Sequence, residues 1–395
     1  MVRPWDGGYG TTTNRQSDPV GSGPIRVGVI GTGLGGSFHL AAIARIPQIE
    51  LVAVCSRHPE RALAAGVEFG APHRMTDYRE LVLHHDVEAV IVATPPHLHH
   101  GMVIAALEAG KHVLCEKPLA RNLAEARDMV QIATRAGVVA MVNHQLRFLP
   151  VRARIKELID ADFLGEPHAA TITVHRSSLN DPYDRPFGWL MEQDKAGGML
   201  GATGAHHVDA LRWWFGEVKA VAGATTTLVK RRRLPDSSAM AKVDADDNFS
   251  VILRFANGAL GTIHVCATAA FEGEEEISLS GSRGTLRVRD DRLLGAQVGD
   301  LRLAEIPIPE RLWGDLPAPD PSLASEDDLA AHYLVTPTVL LLQRWASAIR
   351  AGESENPSFA DGVKVQEIVD AVSRSSLQGR WIDTSGARWP MADRG

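Results

Sequence analysis

The sequence predicts an α/β protein with two domains: a doubly wound parallel sheet first, then an α/β domain with an open, largely antiparallel sheet. Short apolar strands alternate with helical stretches up to about residue 150, which is typical of a parallel sheet. A glycine cluster joins the first strand directly to the first helix. After residue 150 the strand-like segments follow one another without long helical crossovers, which favours antiparallel pairing.

The composition is typical of soluble globular proteins. The chain has 395 residues, of which 45% are hydrophobic, and a formal net charge of −7. This charge predicts no nucleic-acid or membrane-surface partner, and no apolar run approaches the ~18 residues of a membrane span. The three cysteines are odd in number and widely separated, which favours reduced thiols and a cytoplasmic location.

The chain divides into three predicted segments. Residues 1–24 are rich in Gly, Thr and Pro and lack an apolar run, so we expect a disordered tail rather than a signal peptide. Residues 25–150 form the first domain, and Pro150 marks its end. Residues 151–395 form the second domain and include the carboxyl-terminal helices.

The first strand, Ile25 to Ile30, runs directly into a G-x-G-x-x-G sequence, and a helical stretch follows over residues 38–46. In this context the first glycine makes a tight turn, the second lets a pyrophosphate approach the backbone, and the third lets helix and strand pack closely. The N–H groups and dipole of the helix N-terminus favour the same anion. The predicted cofactor contacts here are Gly31, Thr32, Gly33, Leu34 and Gly36.

The second strand, Glu50 to Cys55, does not end in the carboxylate that binds the ribose 2′-hydroxyl of NAD in many dinucleotide sites. Instead Ser56 and Arg57 follow, with Arg61 one turn into the next helix. A small hydroxyl followed by arginine suits a 2′-phosphate, because arginine gives bidentate hydrogen bonds. We therefore predict that these three residues bind NADP slightly in preference to NAD. The alternative is a solvated Arg57 and NAD held by other contacts.

The next apolar strand, residues 87–93, is followed by Thr94 and then by two prolines and three histidines within six residues. Closely spaced histidines suggest a metal, but this spacing matches no usual zinc ligand set and no cysteine lies near in sequence. We predict no metal. Thr94, Pro96 and His99 are instead expected to line the cofactor cleft.

Glu116, Lys117 and Pro118 follow the apolar run 113–115, which predicts a buried strand ending at the ligand-binding edge of the sheet. A lysine at this edge can hold a substrate hydroxyl while a hydride leaves the same carbon, and Glu116 is expected beside the cofactor. The alternative is a surface ion pair, which is energetically weak. A helix is predicted over residues 123–136, with a capping signal at Asn122.

The second domain contains six predicted strands, with a hairpin turn at Asn257-Gly258. The strands span residues 169–174, 218–229, 247–255, 261–267, 276–280 and 284–288. Arg231-Arg232-Arg233 predicts a solvated loop, and the polar residues 317–328 predict a mobile one. Helices are predicted over residues 199–215, 340–350 and 364–377.

These residues, in this order, resemble the Gfo/Idh/MocA family of glucose–fructose oxidoreductase and inositol dehydrogenase, over about residues 24–383. The resemblance is carried by Gly31 to Gly36, Ala93 to Pro96 with His99, Glu116-Lys117-Pro118, Arg147-Phe148, Gly197-Gly198, His206 with Asp209, and Phe359 to Gly362. It implies a Rossmann domain that binds NAD(P) and a second domain that binds substrate. It also implies dimers or tetramers assembled through the second sheet, and often a cis peptide bond before Pro118.

The resemblance further implies that Lys117 hydrogen-bonds the reacting hydroxyl and lowers its pKa, and that His206 is the acid/base. Two positions depart from the family pattern. Ala202 stands where many relatives carry an aspartate, and Leu190 where many carry an arginine. The sequence leaves open whether His206 acts alone, shares the proton transfer or is a structural histidine. The candidates to share it are His207, His144 and Tyr183.

Several cations fall in segments that should face the cleft, among them His175 and Arg185. They would suit an anionic sugar derivative, unless they pair with the many carboxylates. The predicted substrate contacts are Lys117, His144, Arg147, Arg176, Tyr183, His206 and His207.

The resulting prediction is an NAD(P)-dependent oxidoreductase that interconverts a secondary alcohol and a ketone on a sugar, sugar derivative or cyclitol. One alternative is a glycoside hydrolase or lyase that works by transient oxidation and elimination, which the missing aspartate at Ala202 keeps open. Another is a non-catalytic NAD(P)-binding sensor, against which intact Lys117 and His206 count. The predicted assembly is a homodimer or homotetramer.

Overall fold

The computed structural model describes residues 23–273, 275–289, 292–314 and 326–384. The predicted tail lies outside these ranges, apart from its last two residues. The predicted loop at residues 317–328 also lies outside them, apart from residues 326–328. Within them the strands form a six-stranded sheet, a nine-stranded sheet and a small two-stranded ribbon. No helix of the described residues is long and apolar enough to cross a membrane.

The first domain alternates strands and helices, as predicted. Its elements are β1 (Ile25–Ile30), α1 (Leu34–Ile43), β2 (Ile49–Cys55), α2 (Pro59–Glu68), β3 (His73–Met75), α3 (Tyr78–Leu83), β4 (Ala89–Val92), α4 (Pro96–Glu108), β5 (His112–Cys115), α5 (Leu123–Ala136) and β6 (Ala140–Val142). The sheet order is β3-β2-β1-β4-β5-β6 and every pair is parallel. This is the order of a dinucleotide-binding Rossmann sheet, whose ligands bind at the carboxyl ends where the strand order reverses.

The strand order reverses between β1 and β4. The carboxyl end of β1 leads into the glycine loop, that of β4 leads to Thr94, and that of β5 leads to Glu116. All four residues of β4 are buried, because helices cover both faces of the sheet. The topology therefore brings together the three segments that the sequence analysis selected.

The second domain is built on a mixed sheet. Its elements are α6 (Pro150–Asp160), β7 (Pro167–His175), α7 (Ala205–Phe215), β8 (Val218–Thr226), β9 (Arg231–Arg233), β10 (Met240–Lys242), β11 (Asn248–Phe255), β12 (Leu260–Cys266), β13 (Glu275–Gly281), β14 (Gly284–Arg289), β15 (Arg292–Gln297), β16 (Ala304–Glu305), α8 (Glu326–Ala351), α9 (Phe359–Gln378) and β17 (Ile382–Asp383). The nine-strand order is β16-β15-β14-β13-β7-β12-β11-β8-β17, and within it only β7 and β12 pair in parallel. The prediction of a largely antiparallel sheet is confirmed, as is the hairpin at Asn257-Gly258 that joins β11 to β12.

One face of the nine-stranded sheet is buried and the other is exposed. Side chains alternate between the two along β11, where Val251 and Leu253 point into the core. Helices α7 and α9 cover this buried face, with Val208 and Val369 in the same apolar core. Helix α8 is different, because it packs against α1 and its Trp345 lies in the apolar core of the first domain. The predicted boundary at residue 150 therefore does not hold for α8, which returns to the first domain.

The prediction of a solvated loop at Arg231–Arg233 is wrong. These residues form β9, which pairs with β10, and Arg232 is 1% exposed. Its guanidinium donates hydrogen bonds to the carbonyl oxygens of Leu179, of Asp181 at 2.9 Å and of Arg185 at 3.4 Å. A guanidinium carries five N–H donors, so it can satisfy several loop carbonyls at once.

Candidate active site

The glycine loop between β1 and α1 has the geometry that the motif predicts. Gly31 has a φ of +105°, and a side chain there would lie 2.5 Å from the carbonyl oxygen of Ala93. A Cβ at Gly36 would lie 2.0 Å from the carbonyl oxygen of Gly31, so the helix packs directly on the loop. A Cβ at Gly33 would meet nothing within 4 Å, which leaves open space beside the backbone.

This loop fits the pyrophosphate of a dinucleotide. No side chain caps the N-terminus of α1, whose first N–H groups lack helical acceptors. The buried hydroxyl oxygen of Thr32 has no hydrogen-bond partner among the described residues. Unpaired donors and a helix dipole at one point are what a phosphate group requires. Leu34 is 71% exposed at the start of the helix, where it can pack against a bound cofactor.

The end of β2 carries the residues predicted to contact the ribose. Ser56 is buried, and its hydroxyl accepts a hydrogen bond of 3.3 Å from the N–H of His58. Arg57 is exposed, with its Nε 3.1 Å from Nε2 of His58. Arg61 is also exposed, on the first turn of α2. The structure therefore leaves both guanidiniums on the surface beside the carboxyl end of β2.

Glu116 anchors the segment after β5 to the glycine helix. Its Oε1 accepts hydrogen bonds from Nδ2 of Asn143 at 2.6 Å and from Nε2 of His39 at 2.9 Å, while its Oε2 accepts the N–H of Lys117 at 3.1 Å. A Cβ at Gly35 would lie 3.8 Å from Oε1, so the carboxylate borders the glycine loop. Burial disfavours the charge, but the hydrogen bonds and charges of these neighbours outweigh it and lower the pKa of Glu116 to about 2.

Sequence reasoning did not find His39 and Asn143. His39 lies in the first turns of α1 and is 1% exposed, and Asn143 follows β6 with the same exposure. A buried histidine inside the glycine-motif helix was the available signal in the sequence, because polar side chains on a buried helix face need partners.

Lys117 reaches from the first domain to the second. Its Nζ donates a hydrogen bond of 2.9 Å to the carbonyl oxygen of Ala202. The Lys117–Pro118 peptide bond is cis, as the family resemblance implied. Burial lowers the pKa of Lys117, and the charge of Glu116 opposes that shift. Nζ of Lys117 is therefore held in partly buried surroundings rather than on an open surface.

A π-helical turn, Leu200–Gly204, precedes α7 and carries Ala202. Asp246 holds the start of this turn, because its Oδ2 accepts the N–H of Leu200 at 2.8 Å. Gly198 has a φ of +99°, and a side chain there would lie 2.1 Å from Oδ1 of Asp246. The prediction of one regular helix over residues 199–215 therefore needs correction at its first turn, and Asp246 is a positioning residue that sequence reasoning missed.

His206 lies on α7, immediately after this turn, and its side chain is buried. Its Nδ1 has no hydrogen-bond partner among the described residues. Burial first, and then the positive charge of Lys117, lower the pKa of His206 well below its usual value. His206 is therefore a neutral imidazole beside an ammonium, which can accept a proton.

His144 joins the same cluster from the first domain. Its ring lies edge-on to that of His206, with 6.0 Å between the ring centroids. Neither ring nitrogen of His144 has a hydrogen-bond partner in the described part of the chain, although Nε2 lies 3.9 Å from Oδ1 of Asp209. Burial lowers the pKa of His144. Unpaired buried nitrogens on two facing rings suit a ligand with several hydroxyl groups.

Arg147 does not offer a free cation to the cleft, contrary to the prediction. Its Nε and Nη2 donate to the two carboxylate oxygens of Asp209 at 2.7 and 2.5 Å, and Nη2 lies 3.4 Å from Asp361. Arg147 and Asp209 are both buried, at 7% and 1% exposure. The guanidinium is thus committed to a bidentate ion pair that ties the first domain to α7 and α9.

The other predicted substrate contacts have partners of their own or are exposed. His207 is 1% exposed, with Nδ1 3.4 Å from Nη2 of Arg152, and burial lowers its pKa to about 4. Arg176 donates to Glu272 at 3.1 Å, and Tyr183 is 60% exposed. His207 faces a different side of α7 from His206 because consecutive helix residues do, and Arg176 has a carboxylate partner of its own.

His99 lies beneath the cleft instead of lining it. It is 0% exposed, and its ring nitrogens lie 2.7 Å from the carbonyl oxygen of Thr94 and 3.1 Å from that of Pro118. It therefore braces the backbone after β4 against the backbone after β5. Thr94 donates its hydroxyl to Sδ of Met102 at 3.5 Å, and Pro96 is the first residue of α4. The neighbouring histidines diverge from His99, and His100 pairs with Asp128 at 2.8 Å.

Two sequence models of one family match the chain. Residues 25–144 match the oxidoreductase family with an NAD-binding Rossmann fold, and residues 153–287 match the GFO/IDH/MocA C-terminal domain. Levoglucosan dehydrogenase of Pseudarthrobacter phenanthrenivorans is 31% identical over 91% of this chain and 98% of its own length. Inositol 2-dehydrogenase 4 of Saccharopolyspora erythraea is 30% identical over 93% of this chain and 96% of its own length.

Solved structures agree with the sequence matches. A levoglucosan dehydrogenase in complex with NADH and levoglucosan has a TM-score of 0.81 and 30% identity, over 92% of this chain and 100% of that one. An oxidoreductase domain protein from Kribbella flavida has the same TM-score and identity over 92% of this chain. The similarity therefore spans both sheets.

Proposed function

The chain belongs to the Gfo/Idh/MocA oxidoreductase family, and from this premise we propose that it interconverts a secondary alcohol and a ketone on a sugar, sugar derivative or cyclitol, with NAD(P) as hydride carrier. One observation carries the proposal. Lys117, whose Nζ donates to the carbonyl oxygen of Ala202, lies close enough to the buried imidazole of His206 for its charge to lower the pKa of that ring, and the adjacent Glu116 borders the glycine loop.

A bound nicotinamide supplies the acceptor or donor of the hydride. Lys117, held by the carbonyl oxygen of Ala202, donates a hydrogen bond to the substrate oxygen and stabilises the negative charge that develops there. The His206 imidazole takes the hydroxyl proton during oxidation and returns it during reduction. Its low pKa keeps it neutral at neutral pH, so it is ready to accept that proton.

A ring substrate with several hydroxyl groups fits the remaining polar atoms. The unpaired ring nitrogens of His144 and Nδ1 of His206 are buried, and a ligand hydroxyl would supply the partners that they lack among the described residues. The relatives cited above are named for levoglucosan and for inositol, which are both polyhydroxylated rings. An anionic substrate is less well supported, because the guanidinium of Arg147 is occupied by Asp209.

The cofactor preference is a finer point, for which we propose NADP slightly ahead of NAD. Arg57 and Arg61 are exposed next to Ser56 at the end of β2, where a 2′-phosphate would lie. The levoglucosan dehydrogenase structure contains NADH, so the preference has to be measured on this chain itself.

We propose further that copies of the chain associate through the exposed face of the nine-stranded sheet. Ile252 on β11 and Leu260 on β12 are 44% and 48% exposed on that face. Large apolar side chains on an open sheet favour burial against a second copy. Light scattering of the wild type and of Ile252→Glu tests this, with a homodimer or homotetramer expected and a smaller species for the variant. The cytoplasmic location stays a prediction.

A substrate screen that follows two signals at once tests the proposed reaction. Polyols, cyclitols and glycosides are offered with each nicotinamide cofactor, while cofactor absorbance and glycoside cleavage are recorded together. Cofactor reduction without cleavage supports the dehydrogenase. Cleavage without net cofactor reduction would favour the hydrolase, and tight cofactor binding with neither signal would favour the sensor.

A further inference from the structure

Three histidines and one aspartate lie together outside the proposed active site. His73 is the first residue of β3, while His84, His85 and Asp86 form the connection from α3 to β4. This cluster lies at the amino ends of β3 and β4, whereas the glycine loop lies at the carboxyl end of β1. None of its members takes part in the reaction proposed above, so the cluster needs an explanation of its own.

The nitrogen and oxygen atoms of the cluster converge on one point. Nε2 of His73 lies 3.1 Å from Oδ2 of Asp86, and Nδ1 of His84 lies 3.9 Å from the same oxygen. One ligand atom from each of these three residues lies within 4.8 Å of the other two. Zinc–nitrogen bonds of ~2.1 Å in a tetrahedron place ligand atoms about 3.4 Å apart, so small side-chain rotations complete the geometry.

The rings of the three histidines are packed against one another. The ring centroids of His73 and His84 are 4.1 Å apart, and those of His84 and His85 are 4.8 Å apart. Neutral imidazole is the form that binds a metal ion, because its nitrogen lone pair is free.

The nearby cations do not pair with Oδ2 of Asp86, the carboxylate oxygen that His73 and His84 approach. Arg26 places Nη1 3.3 Å from Oδ1, on the other side of the carboxylate, and also pairs with Glu88. Lys111 donates to the carbonyl oxygens of His84 and Val87 at 3.2 and 2.6 Å. Two hydrogen bonds among the described residues compete with a metal: that between Nε2 of His73 and Oδ2 of Asp86 at 3.1 Å, and that from the N–H of Asp86 to Nδ1 of His84 at 3.2 Å.

We propose that His73, His84 and Asp86 bind a divalent transition-metal ion, with Zn²⁺ as the test ion. Two imidazoles and one carboxylate suit zinc and its neighbours, whereas Mg²⁺ and Ca²⁺ prefer oxygen ligands alone. His85, whose side chain is 85% exposed, has Nε2 3.4 Å from Oδ1 of Asp86 and supplies a fourth ligand after rotation. The ion would clamp β3 to the connection before β4, and so stabilise the folded chain by mass action without entering the reaction.

Zinc binding to the tag-free chain tests the site. Chelator-treated wild type, His73→Asn and His84→Asn are dialysed against Zn²⁺, the bound metal per chain is measured, and thermal unfolding is followed with and without the ion. His168→Asn is the matched control, because His168 is an exposed histidine on β7 in the other domain. Co²⁺ replaces Zn²⁺ in a second experiment, in which visible absorption reports the coordination.

We expect the wild type and the control to hold one Zn²⁺ more than either cluster variant and to melt at a higher temperature with the ion. Loss of a ligand should weaken zinc binding at least ~10-fold, because even the loss of a group that only hydrogen-bonds to a metal ligand weakens binding by about this factor. Circular dichroism verifies folding. If one of the two cluster variants does not fold, the comparison is made with the other. Equal zinc content and equal thermal shifts in the wild type and a folded cluster variant would overturn the proposal, as would a wild type without cobalt absorption.

Discussion

Nζ of Lys117, in the segment after β5 of the first domain, donates a hydrogen bond of 2.9 Å to the carbonyl oxygen of Ala202 in the second. Nζ of Lys117 is therefore aimed by the backbone of the π-helical turn that precedes His206. A change that moves this turn relative to β5 would separate the two groups that the proposed reaction needs.

Replacing Lys117 by alanine should lower turnover at least ~10²-fold while cofactor binding survives. The reason is that its charge contact is made more strongly with the developing alkoxide than with the hydroxyl. Steady-state kinetics and nucleotide fluorescence titration measure the two effects. Lys219→Ala, an exposed lysine on β8, serves as the control. Nearly full activity in Lys117→Ala would mean that Lys117 is only a surface charge without a role in the reaction.

Introducing a carboxylate with Ala202→Asp should move the low-pH limb of the oxidation profile to higher pH. His206 must be neutral to accept the proton, so activity falls as the pH drops through its pKa, which burial and Lys117 hold low. Because residues four apart share a helix face, the new charge would raise that pKa. It should also penalise large substrates more than small ones.

Ala202→Asn is the control for this change, since it matches the shape of aspartate without its charge and should leave the limb in place. pH–rate profiles on two substrates of different size give the measurement. An unshifted limb, with an equal effect on both substrates, would mean that side chain 202 does not face His206.

Removing the guanidinium with Arg57→Ala should weaken NADPH binding and leave NADH binding nearly unchanged. Arg57 is exposed at the end of β2, and its bidentate hydrogen bonds would be made to the 2′-phosphate alone. Fluorescence titration with both nucleotides decides the matter. If the unmodified chain binds NADH as well as or better than NADPH, the NADP preference is wrong.

Glu116→Gln should destabilise the chain at neutral pH by an amount that shrinks in acid. Folding lowers the pKa of Glu116 from 4.5 to about 2, so its contribution is complete above pH 4.5 and is lost as the pH falls toward 2. The linked free energy is on the order of 3 kcal/mol at pH 7. Urea unfolding at several pH values follows this difference. Glu108→Gln, an exposed carboxylate on α4, should show no such trend.

Replacing Arg147 by methionine should cost ~3–5 kcal/mol of unfolding free energy, because it leaves the buried carboxylate of Asp209 without its partner. The double variant with Asp209→Asn should recover part of this loss, and the free energies come from urea unfolding. The KM of the folded single variant should change little. A large rise in KM without loss of stability would instead support the sequence-based prediction that Arg147 contacts the substrate.

The parallel first sheet, the glycine loop and the hairpin at Asn257-Gly258 could be predicted because each depends on neighbours in sequence. Gly31 is required by its own backbone angle, and Gly36 by the carbonyl oxygen of Gly31, only a few residues earlier in the chain. The alternation of strands and helices could likewise be predicted, because the spacing of hydrophobic residues within each segment indicates its secondary structure. In the first domain, tertiary contacts did not override these local preferences.

The sequence by itself thus determined the fold class, the cofactor loop and the position of Lys117 at the edge of the sheet. Only the tertiary structure decided which charged and polar groups pair. Arg147 could have met a substrate, but the fold places Asp209 against it; His39 and Asn143 hold Glu116 from distant elements. The reason is physical: a polar side chain has many possible partners in sequence, and burial makes it take whichever one the packing of distant elements brings within hydrogen-bonding distance.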